Sequence, residues 1–233
     1  MAEYQAILLG AAIGLVGSIV AAAIVVGRVK PTIVFGFVGL LLGATVGGAL
    51  ASQRLTKETC RTINATFSLN SFFFPTGWMG DAVMGEKHLK FELNHRDCHR
   101  DGDSDGSCMR IQYTPGHNGW CGIYWQYPEN NWGNTPGTSI ENIQRISFWA
   151  KGELGDELVE FKAGGIRAPG KQYSDSFEAT SGQISLSDEW RRYEINLTGH
   201  DLSSVLGAFA VIFPQQNHKG ENISVLIDEI NYE

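Results

Sequence analysis

The residues of this 233-residue chain most suited to chemistry are grouped between Asp81 and Trp132. Asp101, Asp103 and Asp105 alternate with Gly102 and Ser104 and run into Gly106. Carboxylates at alternate positions before a turn glycine can wrap oxygen ligands around Ca²⁺, as the first half of an EF-type loop does. The twelfth position is Gln112, where such a loop needs a bidentate Glu, so a distant acid has to complete the shell. Cys98 and Cys108 bracket the run, and a bridge between them closes a short loop for roughly 2–3 kcal/mol. With Cys60 and Cys121 the cysteines number four, compatible with two disulfides and an oxidising compartment but open to three pairings.

Motifs for catalysis are missing. His95 and His99 are four apart in a strand-rich region, without the Glu of a helical zinc motif. No nucleophile elbow, phosphate loop or dinucleotide fingerprint occurs. Asp156/Glu157 and Asp188/Glu189 adjoin turns rather than forming a pair across a cleft, as glycoside hydrolysis requires. The expectation is a protein that binds rather than an enzyme. The formal charge of −7 leaves no basic stripe for nucleic acid.

Two kinds of element must position these residues. Residues 6–27 and 32–52 are uncharged, and Glu3, Arg28 and Lys30 are the charged side chains before Arg54. Twenty-two helical residues reach roughly 33 Å, enough to cross a bilayer. Residues 1–57 therefore read as a transmembrane helical hairpin. Gly10, Gly14, Gly17, Gly36, Gly39, Gly43 and Gly47 give small-xxx-small spacing suited to close helix packing, in the hairpin, in a homo-oligomer or against other membrane subunits. Disulfides in the polar part favour two spans with the C-terminal domain outside, periplasmic or at the cell surface.

Residues 58–66 read as a short linker, and 67–233 as about ten short strands separated by turn residues, so a mainly β, antiparallel sandwich or barrel is expected. Cys108–Gly133 reads as a hairpin turning at Pro115–Asn118 and carrying Trp120, Trp125 and Trp132. Strand alternation sets Cys121, Ile123, Trp125 and Tyr127 on the face opposite Trp120, Gly122 and Tyr124.

Five segments carry a resemblance: Gly77-Trp78-Met79-Gly80-Asp81, Gly119-Trp120-Cys121-Gly122-Ile123-Tyr124-Trp125, Ile146-Ser147-Phe148-Trp149-Ala150-Lys151-Gly152, Glu189-Trp190-Arg191-Arg192-Tyr193-Glu194-Ile195 and Leu226-Ile227-Asp228-Glu229-Ile230. In this order and spacing they resemble a jelly-roll carbohydrate-binding module of the family 11 type and its galactose-binding-like relatives, over roughly residues 67–233. The resemblance implies a concave sheet where aromatic rings stack on sugars and polar side chains bind hydroxyls. Arg110, Gln112, Trp125, Tyr127 and Trp132 are the expected ligand residues. It also implies a structural Ca²⁺ held by Asp228 on the last strand with Asp81 as partner. A membrane-anchored glycan-binding module follows as the expected function. The alternative is an accessory subunit of a membrane complex, using the hairpin and the sandwich for assembly.

Overall fold

A computed structural model describes residues 60–233 except 86, 97, 99, 101, 103–105 and 216–221. The described residues belong to one compact unit, Glu58–Glu233. The expected transmembrane hairpin lies outside them, and among them no helix is long and apolar enough to cross a membrane.

Thirteen strands are described: β1 Thr62–Ile63, β2 Phe67–Ser68, β3 Phe74–Gly80, β4 Leu89–His95, β5 Cys108–Tyr113, β6 Cys121–Gln126, β7 Ser139–Ile140, β8 Arg145–Gly152, β9 Leu158–Gly164, β10 Glu178–Ser185, β11 Arg191–Asn196, β12 Gly207–Phe213 and β13 Ile223–Tyr232. One antiparallel sheet has the order β10-β9-β12-β6-β3. The other runs β11-β8-β13-β5-β4, with β2 added alongside β13. β1 and β7 form a small parallel pair, so part of the segment read as linker is strand.

The two large sheets face each other, because rings from one lie against rings from the other. Phe148 of β8 is 4.6 Å from Phe161 of β9 and 5.2 Å from Phe209 of β12. Phe91 of β4 meets Trp125 of β6 at 5.7 Å, and Tyr113 of β5 meets Phe213 of β12 at 5.5 Å. The described residues thus form a mainly β, antiparallel sandwich. Most connections pass from one sheet to the other, the jelly-roll pattern, while β4–β5 and β9–β10 are paired neighbours within a sheet.

That topology corrects the expected hairpin. β5 pairs with β4 and β13, whereas β6 pairs with β3 and β12. Alternating apolar runs around a Pro-Gly-rich turn are compatible with either a hairpin or a crossing between layers. Here the crossing is held by Asp81, which follows β3. Its carboxylate accepts the Tyr113 hydroxyl at 2.7 Å and the N–H groups of Gly116, Asn118 and Gly119 at 2.8, 2.9 and 3.1 Å. The tight turn into Asp81 requires Gly80, whose φ is +60° and where a Cβ would lie 2.4 Å from the Trp120 carbonyl oxygen.

Candidate functional site

Strand β3 is the outer strand of its sheet, which is why it tolerates Pro75. The register shifts between Pro75 and Gly77, and beyond the shift Trp78 is 36% exposed. Trp78 lines a cavity of about 390 Å³ together with Thr76, Asn130, Trp132 and the apolar Ala82, Val83 and Leu89.

The segment after β6 fixes Trp132. Asn131 is buried, and its Oδ1 accepts the N–H groups of Gly133, Asn134 and Thr135, each at 3.2 Å. Its Nδ2 donates to the carbonyls of Tyr127 and Thr135 at 3.2 and 3.1 Å. One side chain therefore saturates the turn from which Trp132 projects. The N–H of Asn130 donates to Thr76 Oγ1 at 3.0 Å, tying this turn to β3. Trp132 also stands edge-on to Tyr124, at 6.1 Å and 90°, and the Tyr124 hydroxyl donates to the Gly164 carbonyl at 2.8 Å. Two indoles beside a hydroxyl and an amide give the cavity apolar walls with hydrogen-bonding groups among them. Such a surface suits a ligand with a flat C–H face and a polar rim.

The sandwich separates the five expected ligand residues. Trp132 lines the cavity. Trp125 does not: it is fully buried between the sheets, with Nε1 donating to Asn70 Oδ1 at 3.0 Å. Alternation along β6 turns Cys121, Ile123 and Trp125 inward, leaving Tyr124 and Gln126 on the other face. Tyr127 is half-buried against the core under the Arg61 guanidinium, 5.1 Å away. Arg110 and Gln112 belong to the opposite sheet and to its outer face, where Arg110 Nη2 binds Glu153 at 2.7 Å and its Nε binds Ser224 Oγ at 3.2 Å. These four share no platform because β5 and β6 lie in different layers.

Charges cover that opposite face. Arg100 stacks 4.6 Å from the Trp149 ring and pairs with Asp228 and Glu229. Arg145 and Arg192 pair with Glu233. Sequence reasoning missed Trp78 as a site residue although its motif was visible. The available signal was a tryptophan two residues after a Pro-Thr pair and beside Gly77, on a strand that Pro75 restricts to an edge.

The structure does not bring Asp81 and Asp228, the expected calcium ligands, together. Four donors already occupy the Asp81 oxygens. Burial alone would raise its pKa, but the Tyr113 hydroxyl and the three N–H groups outweigh burial and hold it below the ordinary value. Asp228 accepts Arg100 Nη2 at 3.2 Å and the Glu229 N–H at 2.8 Å. Ile223 pairs with Tyr113, and Asp228 lies five residues farther along β13, roughly 17 Å at strand rise. Among the described residues no group of three or more His, Cys, Asp or Glu side chains could hold a metal. Asp101, Asp103 and Asp105 lie outside the described residues.

Cys98 and Cys108 form a disulfide, with Cα atoms 6.0 Å apart. Cys60 and Cys121 are unbridged, which corrects the second expected pair. Cys121 packs in the core at the start of β6, where burial and then the Asp81 carboxylate push its thiol pKa up. Cys60 is exposed, and its thiol donates to the Gly137 carbonyl at 2.8 Å.

No protein-family model and no curated protein sequence matches the chain. Solved structures similar to it include the family 11 carbohydrate-binding module of the cellulosomal cellulase Lic26A-Cel5E of Clostridium thermocellum, 14% identical with a TM-score of 0.45, covering 73% of this chain and 95% of that one. A family 30 carbohydrate-binding module is 15% identical with a TM-score of 0.44, covering 72% and 98%. A family 29 module from Piromyces equi is 14% identical with a TM-score of 0.33, covering 62% and 85%. Similarity at this level speaks to neither ligand nor partner.

Proposed function

We propose that the β-sandwich is a glycan-binding domain whose ligand lies against Trp78 and Trp132. The observation carrying this reading is that both indoles open onto one cavity that also presents Thr76 and Asn130. Indole faces attract the C–H face of a pyranose and exclude water from it, while hydroxyl and amide groups at the rim replace the water bound to sugar hydroxyls. The described lining pairs two indoles with a hydroxyl and an amide, and the proposal is for binding rather than catalysis. Screening the full chain on a glycan array, followed by calorimetry on the strongest hit, tests the reading. Binding to no glycan class would overturn it.

The anchor belongs to the same proposal. The uncharged runs 6–27 and 32–52 hold the protein in a bilayer, and their glycines pack against each other, a second copy or another subunit. The Cys98–Cys108 bridge supports an extracytoplasmic domain, since such bridges persist in oxidising compartments. Cysteine labelling of intact vesicles at residue 60 tests that orientation.

A second reading, an accessory subunit of a membrane complex, is favoured by Val83 and Met84, which are 69% and 65% exposed beside the cavity. Apolar side chains presented this openly suit a protein contact. Glycan binding with no fixed co-purifying partner supports the first reading, and the reverse result supports the second. Calcium at Asp101, Asp103 and Asp105 remains a proposal resting on their spacing. Calorimetric titration of Ca²⁺ into the chain tests it, with the heat expected to vanish in Asp103→Asn.

A further inference from the structure

We propose that the loop 167–174, knotted at Asp175, is a strap that positions Trp132, and that Asp175 is therefore a positioning residue for the glycan site. The inference rests on the reading of that site given above. Asp175 is 3% exposed. Its Oδ2 accepts the Ile166 N–H at 2.7 Å, and its Oδ1 accepts those of Leu206 and Gly207 at 2.5 and 3.2 Å. The Asp175 N–H returns to the Ile166 carbonyl at 2.9 Å. Reciprocal bonds thus close residues 166–175 into a ring, and the same carboxylate fastens that ring to the start of β12.

The closed loop reaches the segment carrying Trp132. The Tyr173 N–H donates to the Gly133 carbonyl at 3.2 Å, and Lys171 Nζ donates to Asn134 Oδ1 at 2.7 Å. The approach is close enough that a Cβ on Gly133 would sit 2.4 Å from the Tyr173 carbonyl oxygen. Ile166 and Tyr173 also join Tyr124 and Trp132 in one apolar cluster. Trp132 is held from one side by Asn131 and from the other by this strap. The hydrogen bonds of Asp175 go to Ile166, Leu206 and Gly207, none of them among the described lining residues of the cavity, so its effect on a ligand passes through the strap.

Hydrogen exchange of the full chain, wild type and Asp175→Asn, tests the proposal without a ligand. The expected result is at least tenfold faster exchange at Gly133, Asn134 and Thr135 with β8 and β13 unchanged, and at least tenfold weaker binding of the best array glycan. Unchanged protection at 133–135 in the variant would overturn the proposal. Lys171→Ala, which removes an exposed side chain, decides the matter if Asp175→Asn does not fold: faster exchange at 133–135 supports the strap, and unchanged exchange refutes it. A wild-type protein that binds no glycan would sink the glycan reading while the exchange comparison still reports on the strap.

Discussion

The hydroxyl of Tyr113 donates to Oδ2 of Asp81 across 2.7 Å, joining the last residue of β5 in one sheet to the turn after β3 in the other. With three N–H donors of the crossing loop on the same carboxylate, this bond fixes how the two layers are linked. Asp81→Ala leaves four buried or half-buried donors without an acceptor. A loss of roughly 3–5 kcal/mol is expected in urea unfolding. Burial opposes the charge, but the hydrogen bonds prevail and depress the pKa. The Asp81 contribution is therefore complete above about pH 4 and declines as acid titrates the folded-state carboxyl. Asp81→Asn should flatten the acid limb of the stability profile.

Asp175 should act with the opposite sign. Burial raises its pKa to about 6, against the pull of the Leu206, Ile166 and Gly207 N–H groups and the Arg167 charge. Tyr124 and Tyr232 also lie within its field, and Glu160 and Glu178 share that of Tyr124. A raised folded-state value means stability that is complete below about pH 4 and is lost as pH rises through about 6. The advantage of wild type over Asp175→Asn should shrink by about 3 kcal/mol between pH 4 and pH 7, in order of magnitude. Parallel denaturant curves at the two pH values check this.

Removing the Cys98–Cys108 bridge with paired serines frees a loop of sequence separation 10. About 2–3 kcal/mol of stability should be lost through the unfolded chain's regained freedom. The same change at Cys60 should cost almost nothing, because its thiol is exposed and unbridged. Chemical denaturation of the two variants separates these outcomes.

Arg110→Ala and Gln112→Ala should leave glycan affinity within twofold of wild type, since both lie on the outer face of the opposite sheet. The Arg110–Glu153 pair is partly solvated, so its removal should cost at most about 1 kcal/mol. Trp125→Ala, by contrast, should cost roughly 3–5 kcal/mol as a core cavity. Tenfold weaker binding in Arg110→Ala would argue for a ligand on the other face.

The sandwich was legible because short apolar runs end at turn residues: β5 and β9 alternate apolar and polar side chains, and β12 is a continuous apolar run. β3 was less legible, since Pro75, Gly77 and Gly80 break the pattern and an edge strand is their natural home. Layer assignment was not legible at all. Whether Tyr113 and Cys121 are joined by a hairpin or by a crossing depends on Asp81, some thirty residues earlier, and no local pattern carries a contact that distant. The site followed the same division. Trp132 was visible as an aromatic beyond the strand, but Trp125 has the same chemistry and faces the core, and the indole that joins Trp132 at the cavity is Trp78 from the poorly marked strand.

The most direct test of the account is calorimetric titration of the strongest array glycan into wild type, Trp78→Ala and Trp132→Ala. Each indole that stacks on a sugar ring contributes about 1–2 kcal/mol or more, so fivefold or greater loss of affinity is predicted for each variant at a temperature where its own melting curve shows it folded. Wild-type affinity in both variants would contradict a glycan site between these two tryptophans.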